Sequence, residues 1–224
     1  MTLRIFGDPV LFHIGPVPVT ETMVTSLGVT LLLVVVAVAM RVTVVRRPHH
    51  WLATLALVTV EWLDALIRDI VGQPHPVVAT LSGSLFVFIA GCNIVGQLPG
   101  IHPATASLAT TSALAMVVFL AVPIAGIHTY GFWGYVKHYV RPNPIFMPLH
   151  VISEVSRTLA LSVRLFGNVM SGHLVVGLLV ALAGFLVPMP IMALDMLIGL
   201  LQAYIFTVLS TVYIGAAISS GEEA

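Results

Sequence analysis

Apolar positions in this chain gather into long runs, divided by short polar or Gly/Pro-rich breaks. A bilayer core of ~30 Å needs about 20 apolar residues of helix. The first run, residues 23–45, "MVTSLGVTLLLVVVAVAMRVTVV", therefore predicts a membrane span. A basic cluster closes it: Arg41, Arg46 and Arg47, then Pro48, His49 and His50. Basic loops stay cytoplasmic, so residues 1–22 are expected outside as an N-terminal external segment. Its apolar stretch is broken by Asp8, Pro9, His13 and Pro16 and does not read as a signal peptide. Phe6, Leu11 and Phe12 suit the membrane interface.

Residues 51–72 carry a different pattern. Glu61, Asp64 and Arg68 fall on one helical face, with Asp69 at its edge. This predicts an amphipathic helix in the cytoplasmic interface rather than a span. A second span runs from about Pro76 to Val95, and "NIVGQLPGIHPAT" then reads as a turn. A third span covers about Ala106 to Ile127. The aromatics of "HTYGFWGYVKHYVRPNP", with Lys137 and Arg141, suit the interface beyond it.

Two long segments complete the chain, split by "VPMP" at Val187 to Pro190. Leu149 to Phe185 contains no proline, and as one helix would measure about 55 Å. That is nearly twice the hydrocarbon thickness, so the helix must tilt, bend or begin along the surface. The last span covers residues 191–219, before "GEEA". Residues 76–185 thus hold the second to fourth spans. The expected fold is an all-α polytopic membrane protein forming a single membrane domain. It has five crossings plus an interfacial amphipathic helix, and its two long tilted C-terminal helices form a hairpin. An odd number of crossings places the C-terminus in the cytoplasm.

Composition agrees with this picture. Hydrophobic residues make up 58% of the chain and charged residues 8%, against about 25% charged in soluble domains. Nine basic residues balance nine acidic ones, which points to no nucleic-acid partner. The single Cys92 excludes an internal disulfide framework and a cysteine-built metal site, and reads as a small apolar filler. Nine histidines invite a metal. However, neither HExxH nor Gly-x-Ser-x-Gly is present, so an intramembrane hydrolase has no motif to rest on. No metal and no cofactor are expected.

The candidate chemistry sits where polarity is most expensive. The stretch "SVRLFGNVMSGH" puts Arg164, Asn168, Ser171 and His173 inside an apolar run. An arginine at mid-membrane costs about 2.5–3.5 kcal/mol on insertion scales. Arg157 and Arg164 lie about 20° apart on a helix, with Asn168 about 40° to one side and Ser171 about 20° to the other. His173 falls about 180° away. Glu154 is close enough to pair with Arg157. Arg164 has no acid within one turn of its own helix, so its counter-charge must come from another helix or another chain.

On the last segment Asp195 and Gln202 share a stripe that Tyr213 continues. A buried aspartate needs a cation, a donor, water or a proton. In a straight hairpin about "VPMP", His173 and Asp195 are unequal in depth, so contact requires tilt, bending or water. Gln202 matches His173 better and falls roughly one and a half turns short of Arg164.

These residues resemble a known family, subunit a of the F-type rotary ATP synthases. "LSVRLFGNVMSGH" is similar to its arginine signature, and "LLQAYIFTVLSTVYIGAAI" to its C-terminal helix. "FVFIAGCNIVGQLPG" with "PATASLATTSALA" is similar to its middle segment. The resemblance covers about Trp51 to Ser219. It implies that Arg164 matches the essential arginine, Asn168 the following asparagine, and Gln202 the glutamine facing that arginine. His173 and Asp195 fall where many members carry an acid–histidine pair, here with the order reversed. Thr158 and His150 depart from common family residues.

The resemblance further implies a stator subunit of the membrane sector, non-catalytic on its own, in a bacterial inner (plasma) membrane. Its partners would be a ring of c subunits, peripheral-stalk b subunits, the rest of the synthase and membrane lipid. Two half-channels would serve the ring carboxylates, with Arg164 between them. A fixed cation favours an ionised carboxylate, and arginine keeps its charge in nearly any setting. Asn168, His173, Asp195 and Gln202 would line the ion path, since histidine titrates near neutral pH. Glu154, His150, Ser171 and Tyr213 are vestibule candidates. The alternative is a stand-alone secondary transporter or ion channel with a midplane site. No inverted repeat supports it.

Overall fold

Hydrocarbon offers nothing to hydrogen-bond the backbone, so apolar runs that enter it must satisfy their own N–H and C=O groups as helices. The computed structural model of the chain describes residues 10–14, 17–46, 50–72, 76–98, 103–140, 147–184 and 186–219. Two strands, β1 (Val10–Ile14) and β2 (Val17–Thr20), precede six helices. These are α1 (Glu21–Arg46), α2 (Trp51–Val71), α3 (Pro76–Gly96), α4 (Leu108–Val140), α5 (Met147–Ala183) and α6 (Met189–Ser219). A 3-10 turn at Ala104–Ala106 joins α3 to α4.

Five helical segments are long and apolar enough to cross a membrane: α1, α3, residues Leu108–Thr129 of α4, Val151–Ala183 of α5 and Met189–Ile218 of α6. The chain is thus an all-α polytopic membrane protein apart from the small antiparallel hairpin β1–β2. That hairpin was not expected from the short, proline-broken apolar stretch of the N-terminal segment. Some expectations fall outside the described residues: Phe6, the side chains of Leu11 and Phe12, residues 47–49, the side chains of Lys137 and His150, Arg141, Phe185 and the final "GEEA".

Local chemistry explains the helix ends. Thr20 caps α1 by accepting from Met23 N–H at 3.4 Å. Glu21 in the first turn and Arg46 in the last complement the helix dipole. Thr25, Thr30 and Thr43 donate to the carbonyls of Glu21, Ser26 and Ala39 on their own helix, so their hydroxyls can face lipid. Gly184 adopts φ +74° and its N–H bonds Val180 O at 3.1 Å, a left-handed stop to α5. Pro190 sits in the first turn of α6, where its missing N–H leaves no gap. α4 runs past the expected span end at Ile127. It breaks at Gly131, whose φ of +72° and ψ of 162° are non-helical.

α2 is amphipathic as expected. Leu63 and Ile67 are buried, while Glu61, Arg68 and Asp69 are exposed. Arg68 pairs with Asp64 at 2.6 Å. Trp62 leans on Phe86 of α3 and Tyr204 of α6, with ring centroids 5.4 and 6.0 Å apart.

The main core draws Leu85, Ile89 and Ala90 from α3, Val118 from α4, Leu161, Leu165 and Val169 from α5, and Ala203 and Phe206 from α6. A second cluster joins Ile67, Val78, Val122 and Ile214. Cys92 is fully buried beside Val29 and Ala104, the filler role expected of it. Buried hydroxyls tie helices together where apolar packing alone is non-directional. Thr211 donates to Ser82 at 2.9 Å, and Ser162 meets Thr111 at 3.5 Å.

Candidate functional site

The buried face of α5 is set by Leu161, Leu165 and Val169, which are 2%, 0% and 8% exposed. Arg164 is therefore turned outward, on the side of the exposed Val163 and Leu159. Among the described residues it makes neither an ion pair nor a hydrogen bond. An uncompensated cation thus stands on an apolar outer surface. Ser171 is also exposed and donates to Asn168 O at 3.0 Å on its own helix.

On the inner side of α5 lies a cleft of about 270 Å³. Asn168 and His173 reach it from α5, Asp195 and Gly199 from α6, and Asn93 and Gln97 from the end of α3. Three of the expected site residues, Asn168, His173 and Asp195, are thus brought together. The unequal depth expected for His173 and Asp195 is overcome because Gly172 lets the carboxylate in. A Cβ at Gly172 would overlap Asp195 Oδ1. The assignment of Asn168 to the outer stripe with Arg164 is corrected: Asn168 is half-buried and lines the cleft, because it is offset from Arg164 towards the packed face.

The expected level of Gln202 also changes. Gly172 meets Asp195, and the Arg157 guanidinium lies over the Tyr213 ring at 4.3 Å. In an antiparallel pair, stepping from either contact to Gln202 reaches the turn between Leu165 and Asn168. Gln202 is therefore level with the arginine turn rather than short of it. It is 5% exposed, and among the described residues its Nε2 has no hydrogen-bond partner. Glu154 pairs with Arg157 at 3.6 Å, as its spacing predicted. Tyr213 joins that pair through its ring rather than the cleft.

Two contributors to the cleft were not anticipated. Gln97 Nε2 donates to Asp195 Oδ2 at 3.0 Å. Asn93 Nδ2 donates to Gly199 O at 2.7 Å, while its Oδ1 accepts from Thr105 at 3.4 Å. Both amides lie in "NIVGQLPG", where Gly and Pro signal a turn and mask the four-residue spacing that puts Asn93 and Gln97 on one face.

Chemically, the cleft combines one carboxylate, one imidazole and three amides within an apolar lining that includes Val169, Val176 and Met192. It has room for several waters. A site of this kind can pass a proton between titratable groups or hold a hydrated cation. Among the described residues no group of three or more His, Cys, Asp or Glu is gathered as a metal site would require.

The family described as ATP synthase A chain matches residues 22–215. A protein of Bradyrhizobium sp. named ATP synthase subunit a 2 is 42% identical over 217 residues, covering 94% of each chain. One of Hahella chejuensis, ATP synthase subunit a 1, is 39% identical and covers 97% of this chain and 92% of its own. A third, ATP synthase subunit a 1 of Chlorobium luteolum, is 51% identical over 63% of each.

Proposed function

The chain belongs to the ATP synthase A chain family, and on that premise we propose that it supplies two half-channels to carboxylates on a rotating c ring, separated by Arg164. It is a multi-pass membrane protein and a membrane-sector subunit of an ATP synthase, not catalytic alone. The finer reading adds the c ring, peripheral-stalk b subunits and a bacterial inner membrane, with the N-terminus outside and the C-terminus cytoplasmic.

The single observation that carries this reading is the outward, unpaired Arg164 on an apolar surface. Leaving it there in lipid is unfavourable. A carboxylate presented by a passing subunit supplies the missing counter-charge and is held ionised beside it. The proton or other cation then leaves as the carboxylate arrives. The same fixed charge repels cations that would leak straight between the two paths. Gln202, buried level with this turn with a free amide donor, supports the carboxylate encounter from α6. Behind α5, Asn168, His173 and Asp195 line an aqueous path, with Glu154 and His150 assigned to its vestibules, while Ser171 lies on the outer face and Tyr213 holds Arg157.

The test uses the assembled synthase in inverted membrane vesicles. Arg164→Ala is expected to abolish both ATP synthesis and ATP-driven ion uptake while the subunit still co-purifies with the complex. Coupled pumping at the wild-type rate in that variant overturns the role of the arginine. Ion flux through the purified chain alone in liposomes points instead to a stand-alone channel.

A further inference from the structure

The carboxylate of Asp195 is held from two sides, and only one of them belongs to its helical hairpin. On α5, Gly172 leaves bare backbone against Oδ1. On α3, the amide of Gln97 donates to Oδ2 at 3.0 Å. A carboxylate can only accept here, so the amide must present its NH₂.

The position of Gln97 is itself built. Its backbone N–H bonds Ile94 O at 3.3 Å, and Leu98 N–H bonds Val95 O at 3.1 Å, which close a tight turn directly after α3. That turn is braced by Pro103, which packs so closely on Gly96 that a Cβ there would approach Pro103 Cβ to 2.5 Å. One turn earlier, Asn93 grips Gly199 O at 2.7 Å, and a Cβ at Gly199 would press on the Asn93 amide at 3.0 Å. Moving four residues back along α3 thus moves four residues forward along α6. The two contacts therefore share one antiparallel register.

We propose that Gln97 is a positioning residue for ion translocation, fixing Asp195 through Oδ2 so that the rest of the carboxylate faces the cleft beside His173. The proposal rests on the reading of Asp195 as part of the ion path. Without the amide, the carboxylate swings freely and its hydrogen-bond geometry towards cleft water is lost. Among the described residues His173 on α5 is the only other titratable side chain lining the cleft, and the remaining polar groups there, Asn93, Asn168 and Gln97, are neutral amides. The donor thus acts on a two-member titratable set.

The test compares variants of the whole synthase in inverted vesicles, reading ATP-driven ion uptake alongside ATP hydrolysis and subunit recovery. Gln97→Met keeps the side-chain volume and removes the donor. Loss of a hydrogen bond to a charged group is expected to slow uptake about tenfold. Gln97→Glu keeps the shape, sets a second carboxyl group 3.0 Å from Asp195 so that the pair competes for a proton, and is expected to slow uptake at least as much. In an Asp195→Ala background, Gln97→Met is expected to add no further loss, since its partner is gone. An equal loss in both backgrounds makes Gln97 a packing residue and overturns the proposal. So does wild-type uptake in both Gln97 variants. If Asp195→Ala alone leaves uptake unchanged, it is instead the placement of Asp195 in the ion path that fails. Should Gln97→Met not assemble, Gln97→Leu carries the same comparison.

Discussion

The carboxylate of Asp195 occupies the space that a side chain on residue 172 would need. A glycine on α5 and an aspartate on α6 thus form one packing unit, and the hairpin closes only because one partner has no Cβ. Gly172→Ala is expected to push the carboxylate off its seat, break its bond to Gln97 and reduce ATP-driven ion uptake severely. Gly177→Ala is the control on the same helix, since a Cβ there meets nothing within 4 Å. Uptake measured in vesicles carrying each variant checks the prediction. Equal behaviour of the two removes the packing argument.

Asn93 should matter to stability before it matters to transport. Asn93→Leu removes the donor to Gly199 O, a loss of about 0.6–2 kcal/mol by analogy with interhelical hydrogen bonds in membranes. Gly199→Ala acts on the same contact from the other side by forcing the amide away. Each is expected to lower the temperature at which the subunit dissociates from the detergent-solubilised complex. Combined with Asn93→Ala, Gly199→Ala should cost less than the sum, because truncating the amide removes the group that the new Cβ would press on. Thermal release profiles of the single and double variants decide this.

The two arginines of α5 are expected to respond differently. Arg157 has a carboxylate from Glu154 at 3.6 Å and a ring from Tyr213 at 4.3 Å, and its side chain is 37% exposed. Such cation–ring contacts contribute about 0.5–1 kcal/mol at exposed sites. Tyr213→Phe keeps the ring and should leave uptake near wild type, while Tyr213→Leu should lower the thermal release temperature slightly. Arg157→Ala is expected to retain coupled pumping that Arg164→Ala abolishes. Comparing the four variants in one preparation tests whether Arg157 is an anchor rather than a second gate.

Much of the fold could be read along the chain because membrane helices are local objects. An apolar run of the right length, with Arg46 at one end or "VPMP" at another, carries its own boundary. The oddity of Arg164 was equally local, since it needed only its apolar neighbours to stand out. What stayed hidden depended on depth and on partners distant in sequence. Asp195 comes level with His173 because Gly172 has no side chain to keep it out, and a helical wheel says nothing of a neighbour's missing Cβ. Asn168 left the outer stripe because an offset of about 40° is enough to cross from an exposed edge to a packed one. Gln97 was masked by Gly and Pro, which made its segment look like a turn and nothing more. The β1–β2 hairpin was hidden by its prolines, although "VLFHI" and "VPVT" are rich in strand-forming residues and both strands are edges, where Pro18 is tolerated.

The hydrogen bonds between α3 and α6 have a mechanical meaning. Gln97 to Asp195, Asn93 to Gly199 and Thr211 to Ser82 hold one antiparallel register over about 24 Å of α6. A slip of a single residue, about 1.5 Å along the axis, would carry all three out of range together. The fasteners therefore load in parallel rather than failing one after another. Whatever drags sideways on the outer face of α5 pulls against a frame that resists shear as a unit, and that stiffness is what allows a bearing surface to keep its alignment while its counterpart moves.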